Sequence, residues 1–240
     1  MSLADNATYV AFLRHGEYCH RAQTPGAMQP FALTDLGRKQ AEEGAQALAL
    51  FADAHGVAIA PAIHTSVVLR GWQSAEIIRQ QLEKAMPARS SETGYHLVET
   101  AALTERRVGC LANLTVEEIE QVVGDDPRYD APPAGWKSDS HYRLPYPGAE
   151  SLLEAGGRVA TYLQQTMRHA ADGVHVFVGH GAAFRHAAYH LGVLELAQVA
   201  TISIYHAQPM IFALDADRHW HHIAGAWKLR SRTSASAYID

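Results

Sequence analysis

Cysteine is scarce in this chain. Of its 240 residues only two are cysteine, Cys19 and Cys110, and no motif spacing joins them. They read as free thiols of a cytosolic protein, neither a disulfide nor half of a zinc site. Long apolar runs are missing as well: none approaches the ~18 residues that a membrane span needs. The first residues, Met1-Ser2-Leu3-Ala4-Asp5-Asn6, carry neither the basic nor the apolar region of a secretory signal, so a cytoplasmic location is expected. Lys/Arg runs are absent and the formal net charge is −5, which argues against a nucleic-acid footprint. Internal repeats and low-complexity tracts are absent too. What is present is an ordinary globular composition, 48% hydrophobic and 19% charged. The length fits one large domain or a core with an inserted cap.

The stretch that organises the rest is Tyr9-Val10-Ala11-Phe12-Leu13-Arg14-His15-Gly16-Glu17. An apolar run rich in strand formers breaks at a glycine, with an arginine and a histidine between. A buried strand ending in charged residues places them at the sheet's C-terminal edge, where open α/β sheets build their sites. His15 could act as base, ligand or nucleophile. Arg14 could hold a phosphate or carboxylate by a two-pronged hydrogen bond, and Gly16 lets the backbone turn and approach a ligand. Taken alone, the tripeptide reads rather as a strand ending in a salt-bridged Arg-His pair at the surface; the rest of the chain changes that.

The chain then alternates. Residues 18–31 carry Pro25, Gly26 and Pro30 and read as a loop. Thr34 is a plausible N-cap for a helix bearing Ala41, Ala45, Leu48 and Ala52 at helical period. A second strand is expected over 58–66, with Ser66 capping a helix whose inward face is Gly71, Ala75, Ile78 and Leu82. Arg70 falls in its first turn, near the strand end. A connection over 86–94 leads to a third strand over 95–103, which ends in Thr104-Glu105-Arg106-Arg107. Thr115 and Glu118 have the capping-box pattern of a short helix. Residues 124–148, rich in proline, glycine and aromatics (Tyr129, Trp136, Tyr142, Tyr146), read as an excursion from the core. A helix over 150–170 precedes the strand Val174-His175-Val176-Phe177-Val178-Gly179, which again ends in His-Gly, at His180-Gly181. Another helix is expected over 182–191. Strands over 201–214 and 221–227 read as a hairpin around Asp215-Ala216-Asp217, and the tail from Arg230 as polar and mobile. The alternation gives an α/β fold: a three-layer α/β/α sandwich with a mostly parallel, mixed sheet. It is one domain over 1–240 with a cap insertion at about 106–147 over the C-terminal edge.

Three strand ends thus carry Arg14-His15, Glu105 and His180, and a helix start carries Arg70. With Leu33-Thr34-Asp35-Leu36-Gly37, Ser66-Val67-Val68-Leu69-Arg70, Leu103-Thr104-Glu105-Arg106, Pro147-Gly148-Ala149-Glu150-Ser151 and Val178-Gly179-His180-Gly181 in this order, the chain resembles the histidine phosphatase superfamily (phosphoglycerate mutase-like, branch 1). The resemblance implies that His15 is a nucleophile forming phosphohistidine and that Arg14, Arg70 and His180 surround the phosphate. It makes Glu105 the proton donor to the leaving oxygen and then the base for water. Gly16, Arg21, Arg106 and Gly181 are candidate substrate contacts. Phosphoryl transfer needs in-line positioning and positive charge on the equatorial oxygens. These side chains can supply both without a metal or cofactor.

The implied activity is a metal-independent phosphomonoesterase of the histidine acid phosphatase type, acting on a small phosphorylated metabolite. The alternatives are a cofactor-dependent phosphoglycerate mutase-like phosphotransferase, a protein phosphatase and a catalytically dead binding module. Glu105-Arg106-Arg107-Val108-Gly109 looks mutase-like, but mutase-pattern members carry an asparagine where this chain has Arg21. All five core residues are present, which argues against the dead module. His219, His221 and His222 suggest a metal cluster, but strand alternation puts at most two of them on one face. The apolar stretch at 202–214 could offer a sheet edge to a second copy in a homodimer.

Overall fold

The computed structural model describes residues 8–86 and 94–230. Most of the connection expected over 86–94, and the tail beyond Arg230 read as mobile, lie outside the described residues. The elements begin with β1 (Thr8–Arg14), α1 (Asp35–Ala54), β2 (Ile59–Ser66), α2 (Leu69–Ala85) and β3 (His96–Thr100). They continue with α3 (Val116–Asp125), α4 (Leu152–Met167), β4 (Gly173–Gly179), α5 (Gly181–His190) and α6 (Leu196–Val199). The last are β5 (Ile202–Ile204), β6 (Met210–Leu214), β7 (Trp220–Ala224) and β8 (Trp227–Leu229).

Six strands form one sheet in the order β3-β2-β4-β1-β6-β7. The pairs β1–β4, β2–β4 and β2–β3 are parallel, while β1–β6 and β6–β7 are antiparallel. Strand alternation sends successive side chains to opposite faces. Tyr9, Ala11 and Leu13 of β1, with Val174, Val176 and Val178 of β4, pack on Ala41, Ala45 and Leu48 of α1 and Ile78 and Leu82 of α2. Val10, Phe12 and Phe177 face the other way, onto Val159 and Leu163 of α4 and Ala183 and Phe184 of α5. Both faces of the central strands are covered, which is why β1 and β4 read as nearly unbroken apolar runs. The result is the expected mixed sheet between helical layers.

Local signals held where they are local. The Thr34 side chain accepts from Gly37 N at the start of α1, and Thr115 and Glu118 form a reciprocal capping box on α3. Three expectations need correction. Ser66 does not cap α2: Val68 holds the N-cap position without a side-chain bond, and the serine hydroxyl is committed elsewhere. The third strand stops at Thr100, where the Thr100 side chain accepts from Ala102 N and starts a 3-10 turn over Ala101–Leu103. The stretch 201–214 is two strands: β5 pairs with β8 in a separate ribbon, and β6 lies inside the main sheet between β1 and β7. Residues 210–214 therefore offer no sheet edge, and β3 and β7 are the edges of the main sheet; β5 is an edge strand only of its two-stranded ribbon with β8. Ala207, at φ +53°, turns the chain between β5 and β6, and its N–H bonds Arg14 O at 2.8 Å.

Residues 108–146, the stretch that holds the excursion, carry an apolar cluster. Val108, Leu111, Ile119, Val123, Trp136 and Leu144 are buried together with Ala27 from the loop after β1, and Tyr129, Tyr142 and Tyr146 pack around them. Trp136 is anchored by its indole N–H on Glu120 Oε1 at 2.9 Å.

Candidate active site

Because β1 and β4 run parallel with Arg14 opposite Gly179, the two histidines leave the sheet side by side. His15 N donates to Gly179 O at 2.9 Å, and the rings of His15 and His180 have centroids 5.0 Å apart. Both are buried, at 3% and 0% exposure. Arg70, from the first turn of α2 and 1% exposed, reaches both. Its Nε donates to His15 Nε2 at 3.1 Å and its Nη2 to His180 Nδ1 at 3.1 Å.

This arrangement fixes the tautomers. A guanidinium only donates, so His15 Nε2 and His180 Nδ1 are acceptors. The other nitrogens then carry the protons. His15 Nδ1–H points to Gly16 O at 2.7 Å, and His180 Nε2–H to Ser66 Oγ at 2.9 Å. Burial first, and then the charges of Arg70 and Arg14 together with, for His15, the His180 and His206 rings, hold both imidazoles well below the usual histidine range. His15 thus presents a neutral ring with a free-electron-pair nitrogen at Nε2, the form a nucleophile requires.

The loop after β1 exists to hold Arg70. The guanidinium donates to Gln29 O at 3.1 Å, Gly26 O at 2.6 Å and Ala27 O at 3.2 Å, and lies 4.5 Å from the Tyr18 ring centroid. Gln29, itself buried, ties the loop by donating to Thr24 O and Pro25 O and accepting from Arg21 N. Arg14 donates to Ile204 O at 3.3 Å. Glu105 sits where α5 begins: its Oε1 accepts from Arg106 N at 2.9 Å and its Oε2 from Ala182 N at 3.1 Å. Arg14, His15, Arg70, Glu105 and Arg106 line one cleft with Lys137, Leu152, Ala182 and residues 24–27. The cavity measures about 50 Å³; a water needs roughly 10–15 Å³ by such a measure, so the inner space has the bulk of a phosphoryl group.

Of the four expected contacts, one faces the cleft and three do not. Arg106 does face the cleft, its guanidinium 5.5 Å from the Trp136 ring centroid. Arg21 does not join it; its Nη1 donates to Asn113 O at 2.9 Å. Gly16 is small for a different reason than ligand approach: a Cβ there would run into the Gly37 carbonyl, so the loop packs backbone to backbone on the start of α1. Gly181 makes room for Arg14, whose Cδ would lie 3.2 Å from an added Cβ. Cys19 and Cys110 are exposed and line no part of the cleft. His221 and His219 converge on Asp215 Oδ2 at 2.8 and 3.4 Å, while His222 turns to Ala224 O; among the described residues no group of three or more His, Cys, Asp or Glu is placed to hold a metal ion.

Sequence reasoning missed Tyr18, Gln29, Ser66, Lys137 and His206. His206, between β5 and β6, donates from Nδ1 to His15 O at 2.8 Å and so holds the backbone of the nucleophile candidate from behind. Ser66 stands in the Ser66-to-Arg70 motif but reads there as a helix cap, and Lys137 is a cation beside an aromatic in the excursion.

Comparison with known proteins agrees with this geometry. The description of the histidine phosphatase superfamily (branch 1) matches residues 10–223, a span that holds every residue of the cleft. A 2,3-bisphosphoglycerate-dependent phosphoglycerate mutase of Rhizobium rhizogenes is 28% identical over 187 residues, covering 77% of this chain and 79% of its own. A mycobacterial glucosyl-3-phosphoglycerate phosphatase shares the fold at a TM-score of 0.66 with 16% identity, covering 94% of this chain and 100% of its own. A phosphoglycerate mutase from Bacillus anthracis also superposes at 0.66 with 16% identity, covering 92% and 93%. With paired histidines, buried arginines and the carboxylate at one sheet edge, and the family pattern spanning nearly the whole chain, the protein belongs to the histidine phosphatase superfamily, branch 1.

Proposed function

We propose that the protein is a phosphomonoesterase that uses no metal ion, works through phosphohistidine at His15, and acts on a small phosphorylated metabolite. The observation that carries the reading is the tautomer of His15: Nδ1–H is spent on Gly16 O, and Nε2 faces Arg70 with its electron pair. Nε2 attacks phosphorus in line with the ester oxygen. The P–O bond breaks as Nε2–P forms, and the proton on the Glu105 carboxyl passes to the leaving oxygen. Arg70, no longer needed at Nε2, donates to an equatorial oxygen alongside Arg14, so the charge that develops meets donors already in place. Glu105 then takes a proton from water as the hydroxyl attacks phosphorus, the P–N bond breaks, and phosphate leaves with His15 neutral again. Arg106 and Lys137, at the wall formed by the excursion, add positive charge where the rest of the substrate would lie.

A second reading is a mutase, favoured by the names of the sequence relatives. A mutase must shield phosphohistidine from water until a bound acceptor takes the group back. Arg21 stands where mutase-pattern members have asparagine, and its side chain is turned to Asn113 O, away from the cleft. This supports water as the acceptor. The test is a phosphate-release screen over sugar phosphates, phosphoglycerates, nucleotides and phosphopeptides in EDTA, with labelled 3-phosphoglycerate followed with and without 2,3-bisphosphoglycerate. Release on at least one metabolite that outpaces isomerisation supports the phosphatase. Isomerisation faster than release, with no better hydrolytic substrate, makes it a mutase.

A further inference from the structure

The backbone around Glu105 is held by two residues outside the cleft. Glu150 lies just before α4 and Arg158 two turns into it. Arg158 Nε and Nη2 donate to Glu150 Oε1 and Oε2, both at 2.8 Å, the bidentate fit that a guanidinium and a carboxylate form best. The remaining donors of Arg158 gather the carbonyls of the segment leading to Glu105: Ala102 O at 2.8 Å, Thr104 O at 3.1 Å, Ala101 O at 3.2 Å and Glu105 O at 3.4 Å. Glu150 fastens the other side. Its Oε2 accepts from Arg107 N at 3.1 Å, and its own N–H donates to Arg107 O at 2.9 Å. Burial pushes the Glu150 carboxyl up, but the Arg158 hydrogen bonds and charge, with the Arg107 N–H and charge, outweigh it and hold the group below the usual range. The pair is therefore ionised and closed on itself. Neither residue lines the cleft.

We infer that the Glu150–Arg158 pair is a positioning device for the proton donor, setting where the Glu105 carboxyl stands relative to the leaving oxygen. The inference rests on the reading of Glu105 as that donor. The segment 101–107 has no regular structure beyond one 3-10 turn; Thr104 and Arg107 donate to Ala101 O, and it is Arg158 that gathers the carbonyls of Ala102, Thr104 and Glu105. Proton transfer requires the acid within about 2.6–3.2 Å of the oxygen it serves, and a displacement of about 1 Å can cost on the order of 10²-fold in rate.

The experiment uses two probes that differ in their need for an acid. p-Nitrophenolate leaves without a proton; the alkoxide of glycerol 2-phosphate does not. Because kcat/KM reports the step up to phosphoenzyme formation, it isolates proton donation from later hydrolysis. Glu105→Gln sets the benchmark, a large loss on glycerol 2-phosphate and a small one on p-nitrophenyl phosphate. Arg158→Met and Glu150→Gln should reproduce that split, losing on the order of 30- to 100-fold on the first probe and under about threefold on the second. Arg158→Met added to Glu105→Gln should cost nothing more on glycerol 2-phosphate, since both act on one proton transfer. Equal losses on both probes, full additivity in the double variant, or no loss in either variant would each overturn the inference. Should Arg158→Met fail to fold, Glu150→Gln and Arg158→Lys, which keep the shape or the charge, decide it by the same criterion. Wild-type turnover of p-nitrophenyl phosphate with no phosphoenzyme at His15 would instead overturn the reading of the site, and the inference with it.

Discussion

Arg70 Nε donates to His15 Nε2 at 3.1 Å, so the nitrogen placed to receive a phosphoryl group already holds a guanidinium N–H in the resting protein. The bond keeps the imidazole in its nucleophilic tautomer and must be surrendered at attack, when the same N–H finds a phosphoryl oxygen. One residue thus orients the nucleophile before the reaction and neutralises charge during it. His15→Ala should abolish both turnover and an acid-labile, base-stable phosphoenzyme in rapid-quench experiments. Arg70→Met should retain folding but lose about 10²- to 10³-fold in kcat, as removal of a preorganised donor does. Arg70→Lys should not rescue it, because a point charge cannot reach His15, His180 and the loop carbonyls at once.

The buried histidines make stability depend on pH. Burial, followed by nearby charge, lowers His15 and His180 well below the usual range, and burial, helped by His175 and His96, lowers His64 to about 4. In the unfolded chain these rings titrate near pH 6.5. Below that value the unfolded state binds protons that the folded state refuses. Stability is therefore full above about 6.5 and falls as the pH drops toward the folded values, by up to about 1.4 kcal/mol per pH unit for each such histidine. The lowered carboxylates, Glu76, Glu150 and Asp215 among them, lose their contribution only below about pH 4.5, so the window from 5 to 7 reports the histidines. Urea denaturation at pH 7, 6 and 5 should show the decline, and His64→Gln, outside the cleft, should make it shallower. An equal slope in that variant would show that His64 takes no part.

Lys137 and Arg106 face the cleft from the excursion, beside the buried Trp136. If they hold the non-reacting part of the substrate, their contribution is the same in ground and transition states and appears in KM. Lys137→Ala should raise KM for the best metabolite by about tenfold, equivalent to about 1.4 kcal/mol, with kcat little changed. On p-nitrophenyl phosphate, which has no further anionic group, the effect should be small. A fall in kcat on both substrates would place Lys137 with the phosphoryl group instead.

How much of this was readable depends on distance along the chain. Thr34, Thr115 and the apolar runs ending in Arg14-His15 and Gly179-His180 act within a few residues, and the sequence shows them directly. The convergence of His15, Arg70, Glu105 and His180 follows once the strands are parallel, because parallel strands put all their C-terminal ends on one edge. The supports were not readable. Gln29, His206 and Arg158 look like surface polar residues until the fold brings backbone carbonyls to them, and their partners are peptide groups that no side-chain pattern marks. Arg21 shows the reverse error: proximity in sequence to His15 suggested a contact, but its side chain is drawn to the Asn113 carbonyl.

Ser66 is the sharpest case, since its helix-cap reading was reasonable and its actual partner is 114 residues away. Its Oγ lies 2.9 Å from His180 Nε2, and both groups are buried. Arg70 fixes His180 Nδ1 as an acceptor, so Nε2 carries the proton and Ser66 must accept it. Removing the hydroxyl leaves a buried N–H with no acceptor, which costs about 1–3 kcal/mol. The imidazole can escape that cost only by moving its proton to Nδ1, which then opposes the Arg70 N–H and pushes the guanidinium from both histidines. Ser66→Ala should therefore lower stability by about 1–3 kcal/mol in urea denaturation. It should also reduce kcat on p-nitrophenyl phosphate, with the histidine 15N shifts of His180 moving toward the other tautomer. Ser66→Thr, which keeps the acceptor, should recover the tautomer. Normal shifts together with lost stability in Ser66→Ala would reduce the serine to a packing residue and leave the orientation of His180 to Arg70 alone.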